Sequence, residues 1–136
     1  MTIVVSGAGG FVGRQLVALL VASGHRVVGV DQNAFAVPDE ARAVSGDIGD
    51  AAVRAQALRD GCSAVVHLAT VPGGAAEADP AASRRINVDA MYDLLDDVKA
   101  RAERPRIVFA SSIAVFGDPL PAAGVDDQTP LAPKMI

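Results

Sequence analysis

The run Thr2-Ile3-Val4-Val5-Ser6-Gly7-Ala8-Gly9-Gly10-Phe11-Val12-Gly13 decides how this chain folds. An apolar stretch suited to a buried strand passes straight into glycines and then into a helical pattern. Backbone without a Cβ turns tightly after a strand and lets phosphate oxygens approach its N–H groups, needs that Gly7 and Gly10 meet. Gly13 lies one helical turn past Gly10. There a missing side chain lets the first helix pack closely on the sheet. Its N-terminus, with unpaired N–H groups and the positive end of the helix dipole, then faces an anion. The commonest dinucleotide fingerprint is spaced G-x-G-x-x-G, but here its last position is Val12, so the spacing that fits is Gly7-x-x-Gly10-x-x-Gly13. Phe11 and Val12 lie inside that motif and stand with the three glycines as candidate cofactor contacts.

A glycine turn between a strand and a helix also occurs for purely structural reasons, so its neighbours matter. Leu16, Leu19, Leu20 and Ser23 follow Val12 at helical spacing, Gly24 supplies a stop, and Arg26 to Val30 is a second apolar strand ending in Asp31. A strand, a helix and a strand enclose the glycines, which favours a dinucleotide diphosphate as their ligand. Asp31 falls eighteen residues after Gly13, about where an acidic side chain accepts hydrogen bonds from the adenosine ribose of NAD. The same carboxylate repels a 2′-phosphate, which sets NAD ahead of NADP. Gln32, next in the chain, belongs to the same candidate site.

Length and composition bound the remaining classes. The 136 residues make one domain, and 51% hydrophobic against 21% charged residues is ample for a packed core. Aromatics are scarce, so alanine and aliphatic side chains must fill it. A net charge of −4 offers no basic surface for nucleic acid or anionic lipid. No stretch approaches the roughly 20 apolar residues of a membrane helix. Cys62 is the sole cysteine, and the first strand begins at Thr2 with no charged leader ahead of it. A cytoplasmic protein is expected. No His, Cys and carboxylate cluster has metal-ligand spacing, so no metal is expected.

The alternation continues. A short strand lies near Arg42 to Ser45. A helix runs from Ala51 to about Asp60, with Asp50 as N-cap and Gly61 as stop. Ser63 to Leu68 reads as a buried strand, and Val71 to Ala78 as a glycine-rich loop. Asp79-Pro80 opens a long helix to about Glu103, Pro105 closes it, and Arg106 to Ala110 is a fifth strand. This predicts an α/β fold of the doubly wound, Rossmann type, with parallel strand order 3-2-1-4-5 and a ligand crevice at the carboxyl ends of strands 1 and 4. Residues 1–116 form the nucleotide-binding domain, and 117–136 are proline-rich and irregular. The long helix carries Ile86, Ala90, Leu94 and Val98 on one line, with Met91 and Leu95 widening the face. That face is read as core, with a subunit contact as the alternative.

Other residues fall at the same crevice. Asp47 and Ile48 follow the third strand, where a carboxylate can bond the adenine amino group and an aliphatic side chain can pack on its ring. Small residues at Leu68-Ala69-Thr70 let backbone approach the cofactor. His67 is read as a satisfied buried histidine. Ser111 and Ser112 end the fifth strand, where a hydroxyl can bond a substrate oxygen. A hydrolase built on Ser112 and His67 lacks a Gly-x-Ser-x-Gly elbow and leaves the glycine turn unexplained.

Taken in order, these motifs resemble the extended short-chain dehydrogenase/reductase family, also called the NAD-dependent epimerase/dehydratase family, along the whole chain. The resemblance covers the GxxGxxG turn, Asp31, Asp47-Ile48, His67-Leu68-Ala69 and Asn87 in the long helix, and it implies that Asn87 joins the cofactor site. Ser111-Ser112-Ile113-Ala114-Val115-Phe116-Gly117 looks like the family's active-site strand, which usually ends in valine-tyrosine-glycine, and this implies Ser112 as the catalytic serine. Pro72 to Asp79, Phe116 and Val125-Asp126-Asp127-Gln128-Thr129-Pro130-Leu131 resemble dehydrogenases of small sugar acids such as erythronate. That implies reversible hydride transfer between a secondary alcohol and NAD, with a sugar acid or sugar derivative as the small-molecule partner.

One departure is as informative. The family uses a tyrosine as general acid/base with a lysine four residues later, but Tyr92, the sole tyrosine, is followed at that distance by Asp96, and Lys134 has no tyrosine before it. The Thr129-Pro130-Leu131 segment runs into the tyrosine helix in the family. The chain is therefore expected to be a fragment that stops before that helix, the later strands and the substrate domain. Alternatives are a nucleotide-sugar epimerase or dehydratase, and a naturally short NAD-binding or redox-sensing protein without catalysis. An edge left at strand five and a long helix without its partner should promote self-association, so a homo-oligomer is expected.

Overall fold

Short runs rich in valine, isoleucine and alanine pair side by side in the computed structural model, which describes residues 1–122 and 124–134. They are β1 (Thr2–Ser6), β2 (Arg26–Asp31), β3 (Ala41–Ser45), β4 (Ala64–His67) and β5 (Arg106–Phe109). All pairings are parallel and the sheet order is β3-β2-β1-β4-β5, the order expected from strands separated by helices. In the register, Val4 aligns with Val28 on one side and Val65 on the other.

Central β1 is buried at every residue because both faces of the sheet are covered. Side chains alternate between those faces. On one, Val4, Val28, Val30, Val44 and Val65 pack against Ala57 and Leu58 of α2 (Ala51–Leu58) and Ala90, Leu94 and Val98 of α5 (Ala90–Lys99). On the other, Ile3, Val5 and Val27 meet Val17 of α1 (Phe11–Ala22), flanked by Leu16, Leu20 and Val21. Full burial of a side chain such as Leu94 is worth about 2 kcal/mol. Leu19, by contrast, points to water and is 64% exposed. The helical spacing was right, but the buried stripe runs through Val17 and Val21.

Several boundaries differ from the sequence reading. The stretch expected as a glycine-rich loop contains a short helix, α3 (Gly73–Ala78), despite its two leading glycines. The long helix is split: α4 (Pro80–Arg84), capped by the Asp79 carboxylate on Ala82 N–H, passes into a π turn over Arg85–Asp89 and then into α5. α5 ends at Lys99, short of Glu103. α2 stops at Leu58 and is capped as expected by Asp50 on Ala52 N–H. After β5, a 3-10 turn (Ile113–Phe116) leads into irregular chain.

Candidate cofactor site

The glycine turn is built by close approach. Gly7 sits at φ +71°, and a Cβ there would lie 2.8 Å from Ala69 N and Leu68 C, so the turns leaving β1 and β4 touch backbone to backbone. A Cβ at Gly13 would fall 2.0 Å from the Gly7 carbonyl oxygen and 2.8 Å from Ala8 Cα. Its missing side chain therefore brings α1 onto the turn itself rather than onto the sheet. Gly10 is the N-cap of α1. It has no side chain to cap the helix and no acidic residue stands in the first turn. The first-turn N–H groups are thereby left for a ligand.

Asp31 closes the turn from the side. Its Oδ2 accepts from Gly9 N–H at 2.9 Å and its Oδ1 from Asn33 N–H at 3.0 Å. Gly9, given no role by the sequence reading, is needed because a Cβ there would meet Phe35 Cβ at 2.9 Å and Asp31 Oδ2 at 3.1 Å. Phe35 folds back over Gly9 and Gly29 and fixes the loop that carries Gln32 and Asn33.

Asp47 follows β3. Its Oδ1 accepts from Gly49 N–H at 2.8 Å and its Oδ2 from the Arg85 guanidinium. Partial burial works to raise the Asp47 pKa. The Arg85 hydrogen bond, then the Gly49 N–H and the Arg85 charge, outweigh it and hold the carboxyl below its usual range. Ile48 belongs to the core and also reaches the cleft wall.

The chain leaving β4 forms the facing wall. Asn87, from the π turn, accepts from Val71 N–H at 2.8 Å and Thr70 Oγ1 at 3.1 Å, and donates to Val71 O at 3.0 Å. It holds the wall from behind and does not line the cleft. His67 is 1% exposed and shares a hydrogen bond at Nδ1 with Ser6 Oγ at 2.7 Å. Its Nε2 has no partner among the described residues, so the ring is only half satisfied. Burial pushes its pKa down. Its polar partner is Ser6, not Ser112, which leaves the hydrolase arrangement without its pair.

Ser112 lies beyond the end of β5, which stops at Phe109. It caps the 3-10 turn, its Oγ accepting from Ala114 N–H at 3.2 Å. A hydroxyl used as an acceptor keeps its own proton to donate. Ala110, two residues earlier, lines the cleft.

Gly7, Gly10, Phe11, Val12, Gly13, Asp31, Gln32, Asp47, Ile48, Leu68, Ala69 and Thr70 line one cleft of about 590 Å³, in the size range of small-molecule and cofactor sites. Ile86 and Pro72 are among its other lining residues. Backbone donors at a helix N-terminus, flanked by carboxylates at two strand ends, fit the diphosphate, ribose and amino groups of a dinucleotide.

The family model of the NAD dependent epimerase/dehydratase family matches residues 3–135. The chain belongs to this family. Within it, D-erythronate dehydrogenase of Cupriavidus necator is 38% identical over 98% of the chain and 45% of its own length. UDP-glucose 4-epimerase of Corynebacterium glutamicum is 34% identical over 88% of the chain and 37% of its own length. Among solved structures, a short-chain dehydrogenase/reductase superfamily protein of Agrobacterium tumefaciens with bound NAD superposes at a TM-score of 0.83. It is 34% identical and covers 99% of the chain and 40% of its own length. The chain spans less than half the length of these family relatives. No helix among the described residues is long and apolar enough to cross a membrane.

Proposed function

We propose that the chain is the NAD-binding part of an oxidoreductase that transfers hydride between NAD and a small sugar acid or sugar-derived alcohol. The carrying observation is that the glycine turn and both strand-end carboxylates, Asp31 and Asp47, line one cleft. NAD, when bound, accepts or returns a hydride at its nicotinamide. The protein's part is to bind, orient and exclude. N–H groups of Phe11 to Gly13 hold the diphosphate, and Asp31 accepts from the ribose hydroxyls and repels a 2′-phosphate. Asp47 takes the base amino group. Leu68 to Thr70, braced by Asn87, form the opposite wall, and Ser112 donates its free hydroxyl proton to a substrate oxygen.

The sugar-acid reading rests on the similarity to D-erythronate dehydrogenase. The nucleotide-sugar alternative draws on the UDP-glucose 4-epimerase relative. Product analysis with erythronate and with UDP-glucose, run on a longer protein that joins this segment to a Tyr-x-x-x-Lys pair, separates them: oxidation of the first and no epimerisation of the second supports the proposal. A cytoplasmic setting belongs to the same reading, supported by the lone, buried Cys62.

Calorimetric titration of NAD into the protein tests the binding itself. Saturable binding to one site, weakened about tenfold by Asp31→Ala through loss of charge-assisted hydrogen bonds and with the preference against NADP reduced, is expected. No binding at millimolar NAD overturns the reading. The 136 residues hold no Tyr-x-x-x-Lys pair, so by themselves they should bind NAD without turning over substrate. A specific dehydrogenase rate from them would show that another group serves as base.

A further inference from the structure

The contact between Arg85 and Asp47 joins two elements that the sequence keeps 38 residues apart. Arg85 opens the π turn, a distortion often found at functional sites. From that turn, successive residues reach three places: Arg85 the end of β3, Ile86 the cleft, and Asn87 the wall after β4. Space for the first contact is made by Gly49, where a Cβ would lie 3.2 Å from Asp47 Oδ1 and 3.3 Å from Arg85 Nη1.

We infer that Arg85 is a positioning residue that sets which purine the cleft accepts. It fixes Asp47 as an oriented, ionised acceptor that welcomes a 6-amino base and rejects a 6-keto base. The inference rests on the NAD reading above. A carboxylate accepts hydrogen bonds and cannot donate while ionised. With one oxygen taken by Gly49 N–H and the other by the guanidinium, it cannot swing away, and its unused lone pairs define where a donor must stand. An amino group meets them with its hydrogens. A keto oxygen meets them with lone pairs, and a site built around one polar pattern rejects the analogue that lacks it. The lowered pKa of Asp47 agrees with this geometry. Arg85 is half in water, its side chain 54% exposed against 28% for Asp47. Its described polar partner is Asp47, so removing it should leave the fold intact.

The probes are NAD and nicotinamide hypoxanthine dinucleotide, which differ along one purine edge, a 6-amino group beside an acceptor N1 against a 6-keto oxygen beside N1–H, titrated into wild type, Arg85→Met, Arg85→Lys and Gly49→Ala. Wild type should bind NAD more tightly than the hypoxanthine form. Arg85→Met should narrow that ratio about fivefold, roughly one charge-assisted hydrogen bond, mainly by weakening NAD. Arg85→Lys should restore part of it. Gly49→Ala should narrow it as well by crowding the pair, which tests the idea without touching Arg85. A merely structural role would weaken both dinucleotides equally and leave the ratio unchanged, and that result overturns the inference. Binding of neither dinucleotide by wild type would instead defeat the NAD reading on which it stands.

Discussion

Gly13 shows how much can rest on an absent side chain. Its Cβ would fall 2.0 Å from a backbone oxygen, which cannot swing aside as a side chain would. Gly13→Ala should therefore cost about 3 kcal/mol, the upper range for overpacking, and abolish NAD binding. Gly74→Ala, where nothing lies within 4 Å, should be neutral or slightly stabilising because alanine is the better helix former. Urea denaturation with NAD titration checks both. Gly7, Gly10 and Gly13 were legible in the sequence because their spacing repeats a known chemical need. Gly9 was not. Its need comes from Phe35 and Asp31, whose approach is decided by tertiary packing. His67 carries a second prediction. Its folded-state pKa lies below the ordinary value of 6.5. As pH falls through 6.5 the unfolded chain takes up a proton that the buried ring refuses. The stability contributed by the neutral ring is complete above that value and is lost as pH falls toward the folded-state pKa. Unfolding free energies on either side of 6.5 should show this slope, and His67→Gln should flatten it. An unchanged slope in the variant would assign the effect to other groups.

Between elements, the link of most consequence joins α2 to α5. Arg54, 5% exposed, donates to Asp97 at 2.6 Å and to the Ile48 carbonyl at 3.1 Å, with Asp93 at 3.4 Å. Both aspartates are partly in water, so solvent screens the pair and it is worth less than a fully buried one. The two ends should still respond unequally. Asp97→Ala leaves a buried guanidinium short of a partner and should cost about 2 kcal/mol, whereas Arg54→Met removes the charge and keeps the stem, and should cost less. Equal losses in thermal unfolding would argue that packing alone is at work. Strands and the capped helices were readable at this scale because periodicity, Asp50 and Asp79-Pro80 are local signals. The π turn was not, since one extra residue barely disturbs a helical apolar stripe. α3 was missed because its Gly-Gly start argues against the helix that forms. Arg85 had no part in the sequence reading, because nothing near it in sequence reveals Asp47.

At the scale of the molecule, order and direction of the strands bring Gly7, Asp31, Asp47 and Leu68 to one end of the sheet, and this much followed from alternation alone. The outer edge of β5 is unpaired among the described residues, and Val108 and Phe109 are 48% and 53% exposed on opposite faces. Such an edge invites pairing with a second copy. We expect the 136-residue chain to self-associate at high concentration, and Phe109→Lys to shift it toward monomer in light scattering. A wild-type monomer throughout the range would remove the edge as a contact.

Beyond β5 the chain turns back on itself. Ala132 N–H donates to Val115 O at 2.9 Å, Lys134 Nζ donates to the Asp118 carbonyl, and a Cβ on Gly117 would sit 2.7 Å from Ala132 O. The stretch between is a ring tied at its neck. The entropy of closing such a ring grows only with the logarithm of its length, so residues gained or lost inside it are absorbed there. Ser112 lies upstream of the neck, so this segment can vary in length while the adjoining end of the sheet keeps its shape.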